Sequence, residues 1–232
     1  MASLTIPASD GSGSFGGYLA LPGKSPAAAI LVIQEIFGVN KVMRELCDSY
    51  AAEGYLAFAP DLFWRIQPGV DITDRSEAEW QQAFALMQKF DVDKGVEDLK
   101  AALAALRGHE AATGKVGTVG YCLGGKLAFL MATRSDADCN VSYYGVGLAD
   151  HLGEIGAIAR PLMLHVARED GFVPKEQQDK VAAALEGNDL VLHHSYEGQD
   201  HAFAREGGAH YDAAAAGRAN ERTRAFFARH LG

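Results

Sequence analysis

Two kinds of apolar pattern alternate along this chain. Uninterrupted apolar runs at 27–33 (AAAILVI) and 55–59 (YLAFA) suit strands buried on both faces of a mostly parallel sheet. Between them, Asn40 can cap a helix whose apolar face is Met43, Leu46, Cys47, Tyr50 and Ala51, with Gly54 closing it. Ser76 and Glu79 have capping-box spacing and open a helix presenting Trp80, Ala83, Phe84 and Met87 on one face. Val96, Leu99, Leu103 and Leu106 recur at helical spacing before Gly108. The second half continues with strands over 116–120, 141–144, 161–166 and 190–196, and helices over 123–133, 174–185 and 219–231. The Gly/Ser stretch 11–17 reads as a hairpin turn before a strand at 18–21. Strands alternating with long helices predict an α/β fold, a mostly parallel sheet with helices on both faces and no large cap domain. The 232 residues suit a single domain, 1–232.

Composition narrows the function classes. Hydrophobic residues make up 48% of the chain, enough for a sizeable core. A formal net charge of −9 disfavours nucleic acid and anionic membrane surfaces, both of which call for basic patches. No apolar stretch approaches the roughly 18 residues of a membrane span, and the first residues lack the basic and apolar regions of a signal peptide. Cys47, Cys122 and Cys139 are odd in number and widely spaced, so no disulfide framework is expected, and the setting implied is a reducing cytoplasm.

The chemistry concentrates at Gly120-Tyr-Cys122-Leu-Gly124, of the form Gly-x-nucleophile-x-Gly, set between a buried strand and an apolar helix. Such a nucleophile elbow needs small flanking residues, because the turn is sharp and strained. Cys122 would sit at a helix N-terminus, where dipole and free N–H groups favour a thiolate, and the Leu123 N–H would be one oxyanion donor. The bland alternative is a tight turn holding a structural cysteine, the reading preferred for Cys47 on its helix stripe. A thiol nucleophile needs a base, and the hydrolase chain order nucleophile–acid–base predicts an acid after a later strand and a histidine after the last. Asp170, following 161–166 and preceding Gly171, and His201, following 190–196, stand at those places. Glu35 ends the buried strand 27–33 at what would be the carboxyl edge, where open α/β sheets bind ligands; it is either solvated there or part of a site.

These residues resemble the dienelactone hydrolase family over essentially the whole chain, through QEIFGVN (34–40), GYLAFAPDLF (54–63), GKVGTVGYCLGGKLAFL (114–130), YYGVGL (143–148) and DHAFAR (200–205). The resemblance implies an α/β-hydrolase fold, a Cys122–His201–Asp170 triad, and a place in the degradation of aromatic compounds. It further implies that Glu35 pairs with Arg205 at rest and takes the thiol proton when substrate disturbs that pair, and that the Ile36 and Leu123 N–H groups hold the oxyanion. An acyl-enzyme on Cys122 would then be hydrolysed by water oriented by His201. Members acting on dienelactones carry an arginine and a tyrosine on the helix lining the pocket; Trp80 and Phe84 align with them here, and an indole cannot replace a bidentate guanidinium. The expectation is a more apolar pocket, with Phe37 and Tyr143 as further contacts, and a less anionic aryl or alkyl ester or lactone; the alternative is that Trp80 and Phe84 are core.

Other signals lack context. Gly11-Ser-Gly13-Ser-Phe-Gly16 opens no helix, so it is no dinucleotide fingerprint. His193 and His194 should face opposite ways on a strand, and no histidine or cysteine pair has zinc spacing. The sequence therefore predicts a cysteine-dependent ester or lactone hydrolase, monomeric and cytoplasmic, without cofactor or metal, taking a small-molecule substrate and no nucleic acid or membrane partner. The rivals are an idle hydrolase-like binding protein and a thiol redox sensor, the latter lacking a nearby resolving cysteine.

Overall fold

A computed structural model of the chain describes residues 4–232. The chain falls into two compact units, Met1–Val116 and Gly117–Gly232.

The first unit opens with an antiparallel pair, β1 (Ile6–Pro7) and β2 (Ser14–Phe15), so the expected hairpin turn sits slightly earlier, between these strands. Its main sheet runs β3 (Gly17–Ala20), β5 (Leu56–Pro60), β4 (Ala27–Ile33) in space, with β3 antiparallel to β5 and β4 parallel to it. Every residue of β4 and β5 is buried, which explains why neither alternates polar and apolar. Helix α1 (Lys41–Ala52) starts where expected, because the Asn40 side chain accepts the Met43 N–H at 3.2 Å. Helix α2 (Glu77–Lys89) has its capping box: Ser76 Oγ accepts the Glu79 N–H, and its own hydroxyl donates to the Glu79 carboxylate at 2.8 Å. The buried residues of α2 are Ala83 and Leu86, so its inward stripe is rotated from the one the sequence suggested. Helix α3 (Val92–Arg107) carries the buried Asp98, gripped by both nitrogen arms of Arg65 at 2.7 and 2.8 Å and by Trp64 Nε1 at 2.8 Å.

In the second unit four parallel strands lie in the order β6 (Ala112–Tyr121, here from Gly117), β7 (Cys139–Tyr143), β8 (Leu162–Ala167), β9 (Val191–Tyr196). Helix α4 (Leu123–Arg134) is buried over most of its length and apolar all round, as its sequence demands. A 3-10 stretch, Leu148–Ala157, follows β7, and α5 (Lys175–Leu185) joins β8 to β9. Helix α6 (Ala213–Leu231) begins before residue 219, because Asp212 caps it on the Ala215 N–H at 2.7 Å and alanines carry the first turn. A buried polar chain ties α6 to the sheet: Tyr143 Oη bonds Asn220 and Thr223, Thr223 reaches His165 Nε2, and His165 Nδ1 meets Tyr196 Oη at 2.8 Å. Burial, aided by the nearby His194 and Arg222, holds His165 well below the ordinary histidine range, so it serves this chain as a neutral ring.

Candidate active site

Strand β6 enters α4 through Cys122, whose backbone stands at φ 56°, ψ −114°, outside the regions that side-chain-bearing residues favour. The turn closes because its neighbours have no side chains. A Cβ on Gly120 would overlap the Gly124 carbonyl, and one on Gly125 would lie 2.5 Å from the Tyr143 carbonyl oxygen. The Cys122 N–H donates to that same Tyr143 oxygen at 3.1 Å, fastening the elbow to β7. Leu123 is the first residue of α4, so its N–H is among the donors a helix leaves without an internal acceptor, at the positive end of the dipole. Cys122 is 7% exposed, whereas Cys47 and Cys139 are wholly enclosed, and burial pushes both of those thiols up.

Asp170 follows β8 and His201 follows β9, at the same end of neighbouring parallel strands. His201 Nδ1 lies 2.8 Å from Asp170 Oδ2, and both side chains are buried. Asp170 Oδ1 accepts the N–H groups of Phe172 and Val173 at 2.8 and 3.2 Å, so the buried carboxylate is held on both oxygens. Burial is the strongest single influence on His201 and works against a proton, but the neighbouring Cys122 sulfur and the hydrogen-bonded, charged Asp170 together outweigh it and raise the imidazole to about 10. Tyr144 and Phe172 pack edge-on against the ring, at 5.1 and 4.8 Å between centroids. Among the described residues, the non-glycine positions with positive φ are Cys122, Tyr144 and Ala202. Backbone strain is thus gathered at the elbow, beside the imidazole and just after it, where strain accompanies function.

In the first unit, Glu35 and Ile36 leave β4 on a firmly held turn, both side chains buried. Gln34 is fully enclosed; its Oε1 accepts the Leu62 N–H at 3.0 Å and its Nε2 donates to the Glu35 carbonyl at 3.3 Å. Gly38, at φ 75°, packs where a Cβ would overlap the Val70 carbonyl, and Asn40 Nδ2 donates to the Ile72 carbonyl at 3.0 Å. A row of rings runs outward from buried Phe37 to half-buried Trp80, edge-on at 5.1 Å, then to Phe84, stacked at 5.4 Å and 38% exposed. Trp80 Nε1 donates to the Asp74 carbonyl at 2.9 Å, which fixes the indole.

Of the residues singled out in the sequence, the second unit brings together Cys122, Leu123, Asp170 and His201, and buries Arg205. Tyr143 departs from expectation: it is fully enclosed, with its hydroxyl spent on α6, so it cannot line a pocket. Sequence reasoning passed over Gln34, Gly38 and Gly125. The glycines stood inside quoted motifs, and a positional test for a missing Cβ would have exposed them; nothing local marks Gln34, whose partner is 28 residues away.

A strained cysteine between a parallel strand and a buried helix, with a histidine–aspartate pair after later strands, is the arrangement of an α/β-hydrolase fold. The family model for the dienelactone hydrolase family matches residues 15–231. The chain is 41% identical to the carboxymethylenebutenolidase of Pseudomonas putida, over 97% of this chain and 95% of that one. It is 53% identical, over the full length of both, to an Azospirillum brasilense protein provisionally given the same enzyme name. A Klebsiella pneumoniae crystal structure, provisionally named a dienelactone hydrolase, superposes with TM-score 0.82 at 26% identity, covering 98% of this chain and 97% of that one. The chain belongs to the dienelactone hydrolase family, and it is a hydrolase of carboxylic esters or lactones.

Proposed function

We propose that the enzyme opens a small ester or lactone through an acyl-enzyme on Cys122. The observation that carries this reading is the buried His201–Asp170 pair with Cys122 acting on the same imidazole from a strained turn. The sulfur attacks the substrate carbonyl carbon, and the carbonyl electrons move to an oxyanion held by the Leu123 N–H and, as the family likeness assigns, the Ile36 N–H. Collapse re-forms the carbonyl and expels the alkoxide, which takes a proton from the His201 imidazolium. The imidazole, now neutral, removes a proton from water as it attacks the thioester; collapse releases the sulfur and a carboxylic acid, which gives its proton to solvent, and Glu35 returns its proton to the sulfur. Glu35 keeps the role of accepting the thiol proton and Arg205 a substrate-side role, both by the family likeness. No step calls for a cofactor or metal, and the proposal takes the chain as one domain acting as a cytoplasmic monomer.

Trp80 and Phe84, which the family likeness aligns with an arginine and a tyrosine of dienelactone-cleaving members, support a preference for less anionic aryl or alkyl esters. The half-open ring row offers π-faces to such a substrate. Two measurements test the proposal. Cys122→Ala should abolish turnover of p-nitrophenyl acetate while keeping the native circular dichroism; retained esterase activity would exclude the cysteine mechanism. A carboxylate-bearing dienelactone should show a lower kcat/KM than neutral aryl esters, and the reverse order would exclude the apolar-pocket reading. An idle binding protein, the rival reading, would show no acyl adduct by intact mass after exposure to an activated ester.

A further inference from the structure

We propose that Asp200 and His210 form a positioning clip that sets the catalytic pair; this rests on His201 being the base. Asp170 and His201 lie on separate loops, after β8 and β9, and a single hydrogen bond between their side chains does not fix two backbones. Asp200 Oδ1 does: it accepts the N–H of Gly171, next to the acid, at 2.9 Å, and the N–H of His201 itself at 2.6 Å. One oxygen therefore bridges the acid turn and the base loop.

His210 secures the other side of the same residue. Its Nδ1 lies 3.2 Å from the His201 carbonyl oxygen, and a carbonyl can only accept, so Nδ1 carries the proton. The same nitrogen is 3.4 Å from Asp200 Oδ2. Both backbone groups of His201 are thus held by side chains from outside it. The next residue, Ala202, stands at φ 64°, a conformation that relaxes unless its surroundings hold it. Burial would raise the Asp200 carboxyl, but the Gly171 and His201 N–H groups and the nearby His210 and His201 rings keep it below the ordinary carboxylate range and ionised. The clip transmits no proton. Its work is to keep Nδ1 on Asp170 and the opposite ring nitrogen directed at the sulfur.

The test compares Asp200→Ala, Asp200→Asn, His210→Ala and His201→Ala on p-nitrophenyl acetate, with thermal melts of each. Misplacing a catalytic group by about 1 Å costs on the order of 100-fold, so Asp200→Ala should lose about 10- to 100-fold in kcat. KM should stay within about twofold, because substrate binding is untouched. Asn keeps an acceptor oxygen at the same place, so Asp200→Asn should recover kcat to within about threefold of wild type. His210→Ala, a change at a half-exposed side chain, should lose about three- to tenfold in kcat, and it tests the second arm if Asp200→Ala does not fold. Wild-type kcat in a folded Asp200→Ala with a lowered melting point would overturn the clip, as would wild-type kcat in His210→Ala. An Asp200→Asn as impaired as the alanine variant would overturn it too, since charge and not hydrogen bonding would then be the cause. Activity retained by His201→Ala would overturn both this proposal and the base assignment, whereas an inactive His201→Ala beside a fully active Asp200→Ala would overturn the clip alone.

Discussion

Removing the sulfur at position 122 should change the proton affinity of His201, and by an amount the structure sets. Burial is the largest influence and lowers the imidazole, while the neighbouring Cys122 sulfur and the Asp170 carboxylate, bonded at 2.8 Å, together more than offset it. The rise from 6.5 to about 10 is worth on the order of 5 kcal/mol, at about 1.4 kcal/mol per pH unit. Because the folded value lies above the ordinary one, this stabilisation is fully present below about pH 6.5 and is lost as the pH climbs through about 10. Cys122→Ala deletes the sulfur's share and leaves the Asp170 bond. An opposite charge in contact moves a titration by about 1–3 pH units, so the ring should then titrate about 2 units lower, a loss of about 3 kcal/mol of pH-dependent stabilisation. Imidazole nitrogen shifts followed by NMR from pH 5 to 11, with His201 assigned by its absence in His201→Gln, measure this directly. A wild-type ring titrating near 6.5, or a Cys122→Ala ring still titrating near 10, would refute the coupling between sulfur and imidazole.

Gly125→Ala should lower stability by about 3 kcal/mol, because its methyl would meet the Tyr143 carbonyl and the Gly145 backbone, neither of which can yield cheaply. A urea midpoint unchanged from wild type would show that the elbow tolerates a side chain there. Tyr143→Phe deletes the hydroxyl bonded to Asn220 and Thr223, which should cost about 1–3 kcal/mol of stability. Its kcat should stay within about threefold of wild type; a large loss in kcat with unchanged stability would restore Tyr143 to the substrate pocket.

The parts of this fold legible in the sequence are those set by local patterning. The apolar runs at β4 and β5, the Asn40 and Ser76 caps and the glycine-flanked Cys122 each carry their signal within a few residues. The order of Cys122, Asp170 and His201 was legible because chain order constrains parallel strands. What stayed hidden depends on partners far along the chain. Tyr143 ends the apolar strand β7, and nothing near it announces that α6, some 80 residues on, takes its hydroxyl. Nothing near Asp200 in the sequence marks its role, since its bond to Gly171 spans 29 residues. The rotation of the α2 stripe, with Leu86 inward and Phe84 outward, likewise follows from what the helix packs against and not from its own periodicity.

Of the three cysteines, the enclosure of Cys47 and Cys139 leaves Cys122 as the one an oxidant can reach. Peroxide converting the sulfur at 122 to a sulfenic acid would find no accessible cysteine in the same chain to condense with. Recovery of the thiol would then depend on a small thiol from solution, so the redox poise of the surrounding medium would decide how much Cys122 stays reduced.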